Sequence, residues 1–258
     1  MTFLLGEQEK QKMRKVCTVL YVIFNYLTFI GVFFYFLCFL GNFFSIAPKT
    51  IDNGSPGPVN IALVVNLFLL LLFGIQHTLM ARSGFKQWWV KIVPKHLERS
   101  TYVLLSNLLL SLVMWQWQPM VGVLWELERP FGQNLMWALF FFGFGLVVLS
   151  SLNIDHLYLL GLRQAIFYVT GRAYTETPFK IVGCYKFVRH PILLGWMISF
   201  WATPRMTMGH FLFAITTTIY MLIAIRYEER DQVALYGDLY CNYREKVPMI
   251  IPRIVRRG

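Results

Sequence analysis

Six stretches of this chain run without a single Lys, Arg, Asp or Glu. Val16–Pro48 gives 33 residues, Asn53–Ala81 29, Ser100–Trp125 26 and Pro130–Ile154 25. Pro191–Pro204 gives 14 and Met206–Ile225 gives 20, and only Arg205 splits them. A helix needs about 20 apolar residues to cross the hydrocarbon core, so the first four runs are long enough to span. The last two read as a helical hairpin with one short arm, either a tilted span or a re-entrant helix. The expectation is an all-α, polytopic membrane helix bundle with five to six transmembrane helices. It includes the helical hairpin after Arg189-His190-Pro191 and ends in a C-terminal cytoplasmic amphipathic helix.

Composition agrees. Charged residues make up 14% of the chain, against about 25% in soluble domains, and the mean hydropathy is +0.52. A net charge of +11 would ordinarily raise nucleic acid as a partner. The 57% hydrophobic content excludes a soluble nucleic-acid binder, and with it disorder, collagen-like repeats and a disulfide scaffold. Cys17, Cys38, Cys184 and Cys241 show no C-x-x-C spacing and the histidines no ligand spacing, so no metal is expected. The first apolar run is too long for a signal peptide and lacks a small-residue cleavage site, so it reads as a retained helix.

The charge is sorted by loop. The N-terminal segment, the loop holding Arg82 to Arg99, the segment Arg163–Arg189 and the C-terminal segment from Arg226 carry 21 of the 24 basic residues. That last group includes Arg253, Arg256 and Arg257. Only Lys49, Arg129 and Arg205 fall in the alternate loops. The positive-inside rule then places both termini in the cytoplasm. One domain over 1–258 is expected: a cytoplasmic tail (1–15), four membrane helices (16–152), a cytoplasmic loop (153–190), the hairpin (191–226) and a cytoplasmic C-terminal segment (227–258).

This topology brings His77, Arg99, Tyr102, Asp155, His156, Arg163, Arg189, His190, Glu228 and Glu229 to one cytoplasmic-leaflet layer. Polar groups at that depth are expensive unless paired or facing a cavity. Snorkelling arginines and helix-capping histidines are the bland alternative for any one of them. Pro191 suits a first helical turn, and Gly195 allows close approach to that helix. A carboxylate on one wall and a basic group on the other suits a zwitterion. Val233, Tyr236, Tyr240 and Tyr243 recur at helical spacing. Extending that stripe backwards reaches Glu229, which favours Glu229 over Glu228 as the inward carboxylate. The alternative is a solvated helix start.

Arg189-His190-Pro191, Gly195 and Glu228-Glu229 resemble the signature of the isoprenylcysteine carboxyl methyltransferase and phospholipid methyltransferase superfamily of integral membrane enzymes. Longer segments narrow the resemblance to the methanethiol S-methyltransferase family, often grouped with NnrU-like proteins. These are Gln76-His77-Thr78-Leu79-Met80-Ala81-Arg82, Glu98-Arg99-Ser100-Thr101-Tyr102, Trp115-Gln116-Trp117-Gln118-Pro119 and Gly161-Leu162-Arg163-Gln164. Phe200-Trp201-Ala202-Thr203-Pro204, then Tyr240, Tyr243, Arg244 and Val247-Pro248-Met249, complete them. The superfamily often has Tyr where this chain has Leu193, and Leu where it has Gln232; the first departure leaves a more apolar pocket.

The resemblance implies an S-adenosyl-L-methionine site formed by Tyr185, Arg189, His190, Pro191, Leu194, Gly195, Glu228 and Glu229. Arg163 and Gln164 bind either the cofactor or a lipid phosphate. Tyr102 and Arg99 are substrate-binding candidates. The implied reaction is methyl transfer to a small thiol, methanethiol, giving dimethyl sulfide. The reactive form of the acceptor is a thiolate, and His156 and His77 are candidate bases; either could equally be a helix-end hydrogen-bond partner. Membrane lipids are expected partners. Competing readings are a methyltransferase for a larger lipid or isoprenylcysteine acceptor, a non-catalytic nurim- or NnrU-like membrane protein, and, more weakly, a transporter.

Overall fold

Proline and glycine punctuate the apolar runs into helices of unequal length. The computed structural model describes residues 2–175 and 179–252; Arg253, Arg256 and Arg257 lie outside them. Helices α1 (Thr2–Leu40), α2 (Val59–Ala81) and α3 (Ser83–Trp89) are followed by α4 (Glu98–Gln116), strand β1 (Val123–Glu126) and α5 (Pro130–Ile154). Then come α6 (His156–Leu159), α7 (Leu162–Thr170), a 3-10 turn (Gly183–Lys186), α8 (Pro191–Trp201), β2 (Arg205–Thr207), α9 (Met208–Tyr236) and α10 (Asp238–Lys246). The chain is a polytopic helical membrane protein. Among the described residues, α1 from Gly6, α2, α5 and α9 are long and apolar enough to cross a bilayer.

One expected span, and the short hairpin arm left open between a tilted span and a re-entrant helix, fall short of that measure. The run Ser100–Trp125 is not one helix. Pro119 disfavours helical backbone at the residue before it, α4 stops at Gln116, and Val123–Glu126 is a strand. Helix α8 has 11 residues, about 16 Å of rise, too little for a core of about 30 Å. The hairpin turn is also more ordered than a loop: β2 pairs antiparallel with β1, setting Val123 opposite Thr207 and Glu126 opposite Arg205. No alternating pattern announces strands of three and four residues.

The helices gather into two compact units. The first comprises Met1–Phe36, Leu72–Val113 and Asp155–Thr177. Its core is Met80, Tyr102, Val103 and Leu160, with Tyr26, Phe29 and Phe85 packed around it. Polar groups pin α1 to the start of α4. Tyr21 Oη lies 2.9 Å from Thr101 Oγ1, and the Asn25 amide donates to the Ser100 carbonyl at 3.4 Å.

The second unit comprises Leu37–Leu71, Met114–Ile154 and Pro178–Gly258. Here α5 and α8 pack backbone to backbone. A Cβ at Gly143 would collide with Ser199 Oγ and meet the Gly195 carbonyl at 2.6 Å, and one at Gly195 would meet the Gly143 carbonyl at 2.6 Å. Ser199 Oγ donates to the Phe140 carbonyl at 3.1 Å. This contact brings the first turn of α8 beside α5. His210 is fully buried, and its Nε2 donates to the Phe200 carbonyl at 3.0 Å. The aromatic stripe also holds: Tyr240, Tyr243 and Val247 are buried together against Phe179, Val233 and Tyr236.

Gly143→Ala should destabilise the protein by about 1–3 kcal/mol through overpacking, measured by equilibrium unfolding in mild detergent. Gly145→Ala, where an added Cβ meets nothing within 4 Å, should leave stability nearly unchanged.

Candidate active site

The site in the second unit is built on a carboxylate that two arginines and a histidine share. Glu229 lies in the last third of α9 and is 7% exposed. Arg189 Nε donates to its Oε1 at 2.7 Å, and His190 Nε2 lies 3.1 Å from the same oxygen. Arg244 Nε is 3.5 Å from Oε2. Burying a carboxylate is costly unless it is paired and hydrogen-bonded, and here the cations arrive from separate segments. Glu228, one residue earlier, has a side chain 53% exposed and lies 3.7 Å from His190 Nδ1.

The Arg189-His190 turn is held from both ends. Its backbone amides donate to the carbonyls of Pro248 (2.9 Å) and Met249 (3.1 Å), a strand-like pairing with the segment after α10. Arg189 Nη1 also donates to the carbonyls of Arg244 and Val247. The Tyr243 hydroxyl donates to the Tyr185 carbonyl at 2.7 Å. Burial pushes that hydroxyl up to about 12, so it stays a donor at neutral pH. Burial, with Glu228 nearby, raises the Tyr185 hydroxyl as well.

Upstream, Asn153 at the end of α5 accepts the Cys184 amide at 2.9 Å. Gly183 has φ +50°, and a Cβ there would run into Asn153 Oδ1, so only glycine fits this turn. Pro191 opens α8 as its first residue, and the Leu194 amide donates to the His190 carbonyl at 3.0 Å.

The structure thus brings Arg189, His190, Glu228 and Glu229 together, with Tyr185 on the adjoining turn. Two residues play parts that spacing alone did not show. What approaches Gly195 is the backbone of α5. Arg189 is spent on Glu229 and on the Arg244 and Val247 carbonyls at the end of α10. Sequence reasoning missed Asn153 and left Arg244 without a role. For Arg244 a signal existed, because it follows Tyr243 in the buried stripe and shares the end of α10 with the exposed Lys246.

The first unit holds the other candidates. Tyr102 Oη lies 2.9 Å from His77 Nε2, and Ser106 Oγ is 3.3 Å from His77 Nδ1. Arg99 sits over the Tyr102 ring at 4.9 Å and donates to the Leu159 carbonyl at 2.8 Å. Asp155 caps α6 through the Tyr158 amide and pairs with Arg163. Arg163 therefore has an internal partner and lies over the Phe167 ring. Gln164 Nε2 donates to the Tyr158 carbonyl, while its buried Oε1 has no hydrogen-bond partner among the described residues. His156, 3.5 Å from Tyr26 Oη, has its pKa lowered by burial, with Asp155 opposing. Among the described residues, no three His, Cys, Asp or Glu side chains converge as a metal site.

A helical membrane protein with a buried carboxylate under a His-Pro turn is the class that fold and site define, and the chain belongs to the NnrU family, described as "NnrU protein", which matches residues 65–232. Among individual relatives, it is 45% identical to Methanethiol S-methyltransferase of Mycobacterium tuberculosis over 240 residues, 93% of this chain and 98% of that protein. It is 43% identical to Methanethiol S-methyltransferase of Crocosphaera subtropica over 246 residues, 95% of this chain and 96% of that protein. Nurim of Bos taurus is 31% identical over 188 residues, 69% of this chain and 71% of that protein. No solved structure matches the chain.

Removing the carboxylate would leave the buried Arg189 guanidinium without its anion and His190 Nε2 without the same oxygen. Glu229→Ala should cost about 3–5 kcal/mol, read by equilibrium unfolding in detergent. Glu228→Ala, at an exposed position, should stay within about 0.5 kcal/mol. Equal losses would contradict the assignment of Glu229 as the inward carboxylate.

Proposed function

We propose that the chain is an S-adenosyl-L-methionine-dependent S-methyltransferase that methylates methanethiol to dimethyl sulfide, as one membrane domain, from the cytoplasmic leaflet. Near-full-length similarity to relatives bearing the methanethiol S-methyltransferase name carries this reading. The donor set of the second unit suits the cofactor. An amino-acid group needs an acceptor for its ammonium and a donor for its carboxylate. Glu229 Oε2 and the Arg244 guanidinium are such a pair, 3.5 Å apart. Tyr185, His190, Pro191 and Leu194 are the neighbouring residues that would hold the rest, with Glu228 at the exposed edge. Both termini on the cytoplasmic side of a bacterial inner membrane would put this end of the molecule where a cytosolic cofactor enters.

When bound, S-adenosylmethionine supplies a methyl group on a positively charged sulfur. The acceptor does the rest. Methanethiol would give up its proton to a base and its sulfur would bond to the methyl carbon as the methyl–sulfonium bond breaks, the products being neutral dimethyl sulfide and S-adenosylhomocysteine. Thiolate and sulfonium charges vanish together on the way to the transition state, so a water-poor membrane site favours the reaction. His156 and His77 are the candidate proton acceptors. Burial holds His156 neutral to lower pH than an ordinary imidazole, the form able to take a proton. Methanethiol and dimethyl sulfide are small and apolar, so lipid is a route in and out for both.

Purified protein given methyl-labelled S-adenosylmethionine and methanethiol should release labelled dimethyl sulfide into the headspace. Labelled lipid with no labelled dimethyl sulfide would replace the small thiol with a larger acceptor. No transfer to any acceptor would overturn the enzyme reading.

A further inference from the structure

Two arginines stand at Glu229, and their surroundings differ. Arg189 is enclosed: its side chain is 9% exposed, its Nε serves Glu229 Oε1, and its Nη1 serves the carbonyls of Arg244 and Val247. These bonds tie three segments of the second unit to one another. A ligand that claimed them would have to release the chain beyond α10 from the Arg189-His190 turn. Arg244 is the opposite case. Its side chain is 45% exposed, and its Nε stands 3.5 Å from Oε2, the oxygen opposite the one that Arg189 and His190 share. That distance exceeds the usual range of an N–H···O bond, and a half-exposed ion pair contributes little to stability.

We infer that Arg244, not Arg189, is the cation that takes the carboxylate of the bound cofactor's amino-acid group, while Arg189 is a positioning residue that holds Glu229 in place. The inference rests on the proposed S-adenosylmethionine site and adds to it a residue outside the Arg-His-Pro motif. The chemistry of the pair supports it. An α-amino acid carries ammonium and carboxylate on one carbon, so its receptor must offer an anion and a cation side by side. Glu229 Oε2 and Arg244 meet that requirement with one loose contact to give up. The guanidinium presents a planar fork of N–H donors matched to a carboxylate. Glu229 Oε1 stays with Arg189 and His190, so the ammonium would find a carboxylate already oriented.

The test compares two nucleosides that differ only in the carboxylate. S-adenosylhomocysteine and its decarboxylated analogue are titrated by calorimetry into the full-length protein in detergent. Arg244→Gln should weaken S-adenosylhomocysteine about tenfold or more, the scale of a lost charge-assisted contact, and change the analogue less than about twofold. Arg244→Lys should recover part of the loss. Arg189→Lys should weaken both ligands and lower the thermal midpoint. If Arg244→Gln alters both ligands equally or neither, the inference falls and the site stands. If the unmodified protein binds neither nucleoside, the cofactor reading falls and takes the inference with it.

Discussion

A carboxylate removed almost entirely from solvent has to find its cations before it can be buried, and most of the second unit is arranged around that demand. Glu229 is on α9, Arg189 and His190 are on the turn into α8, and Arg244 is at the end of α10. Buried ion pairs of this kind rarely add much net stability, but breaking one is expensive. The pairing therefore acts as a constraint: segments well separated in sequence have to meet at one point. The backbone bonds from Arg189 and His190 to Pro248 and Met249 follow from the same meeting, as does the Tyr243 bond to the Tyr185 carbonyl.

That constraint explains the shape of the hairpin. Helix α8 starts at Pro191, directly after Arg189 and His190, and ends after 11 residues at Trp201, while α9 continues for 29 residues to carry Glu229 back to the same end. The close contact of Gly143 with Gly195 and Ser199 fixes α8 against α5, and Asn153, at the end of α5, secures the turn that leads into Arg189. A short helix suffices because its task is to present its first turn. The long, strongly apolar α5 and α9 are the members of this group able to cross the bilayer.

Much of this is readable from residues alone, for identifiable reasons. Uncharged runs report spanning helices because a charge in hydrocarbon is costly. The stripe Val233, Tyr236, Tyr240, Tyr243 selects Glu229 over Glu228 because helical spacing puts them on one face, even though Gly237 interrupts the helix between them. Other features depend on tertiary partners. Gly195 reads as a place of close approach, but only the structure shows that α5 does the approaching. The β1–β2 ribbon is too short for a periodic signal, and α4 ends before Pro119 although its apolar run continues. Arg189 and Arg244 look alike as basic residues, and they separate only when burial and the bonds of each guanidinium are known.

The most direct measurement is amide hydrogen exchange at Arg189 and His190, whose N–H groups are bonded to the carbonyls of Pro248 and Met249. If Glu229 holds the His-Pro turn against the segment beyond α10, Glu229→Gln should deprotect these two amides and that of Val247, while α5 amides around Phe140 keep their protection. Unchanged exchange at Arg189 and His190 in that variant would contradict the central role given to the buried carboxylate.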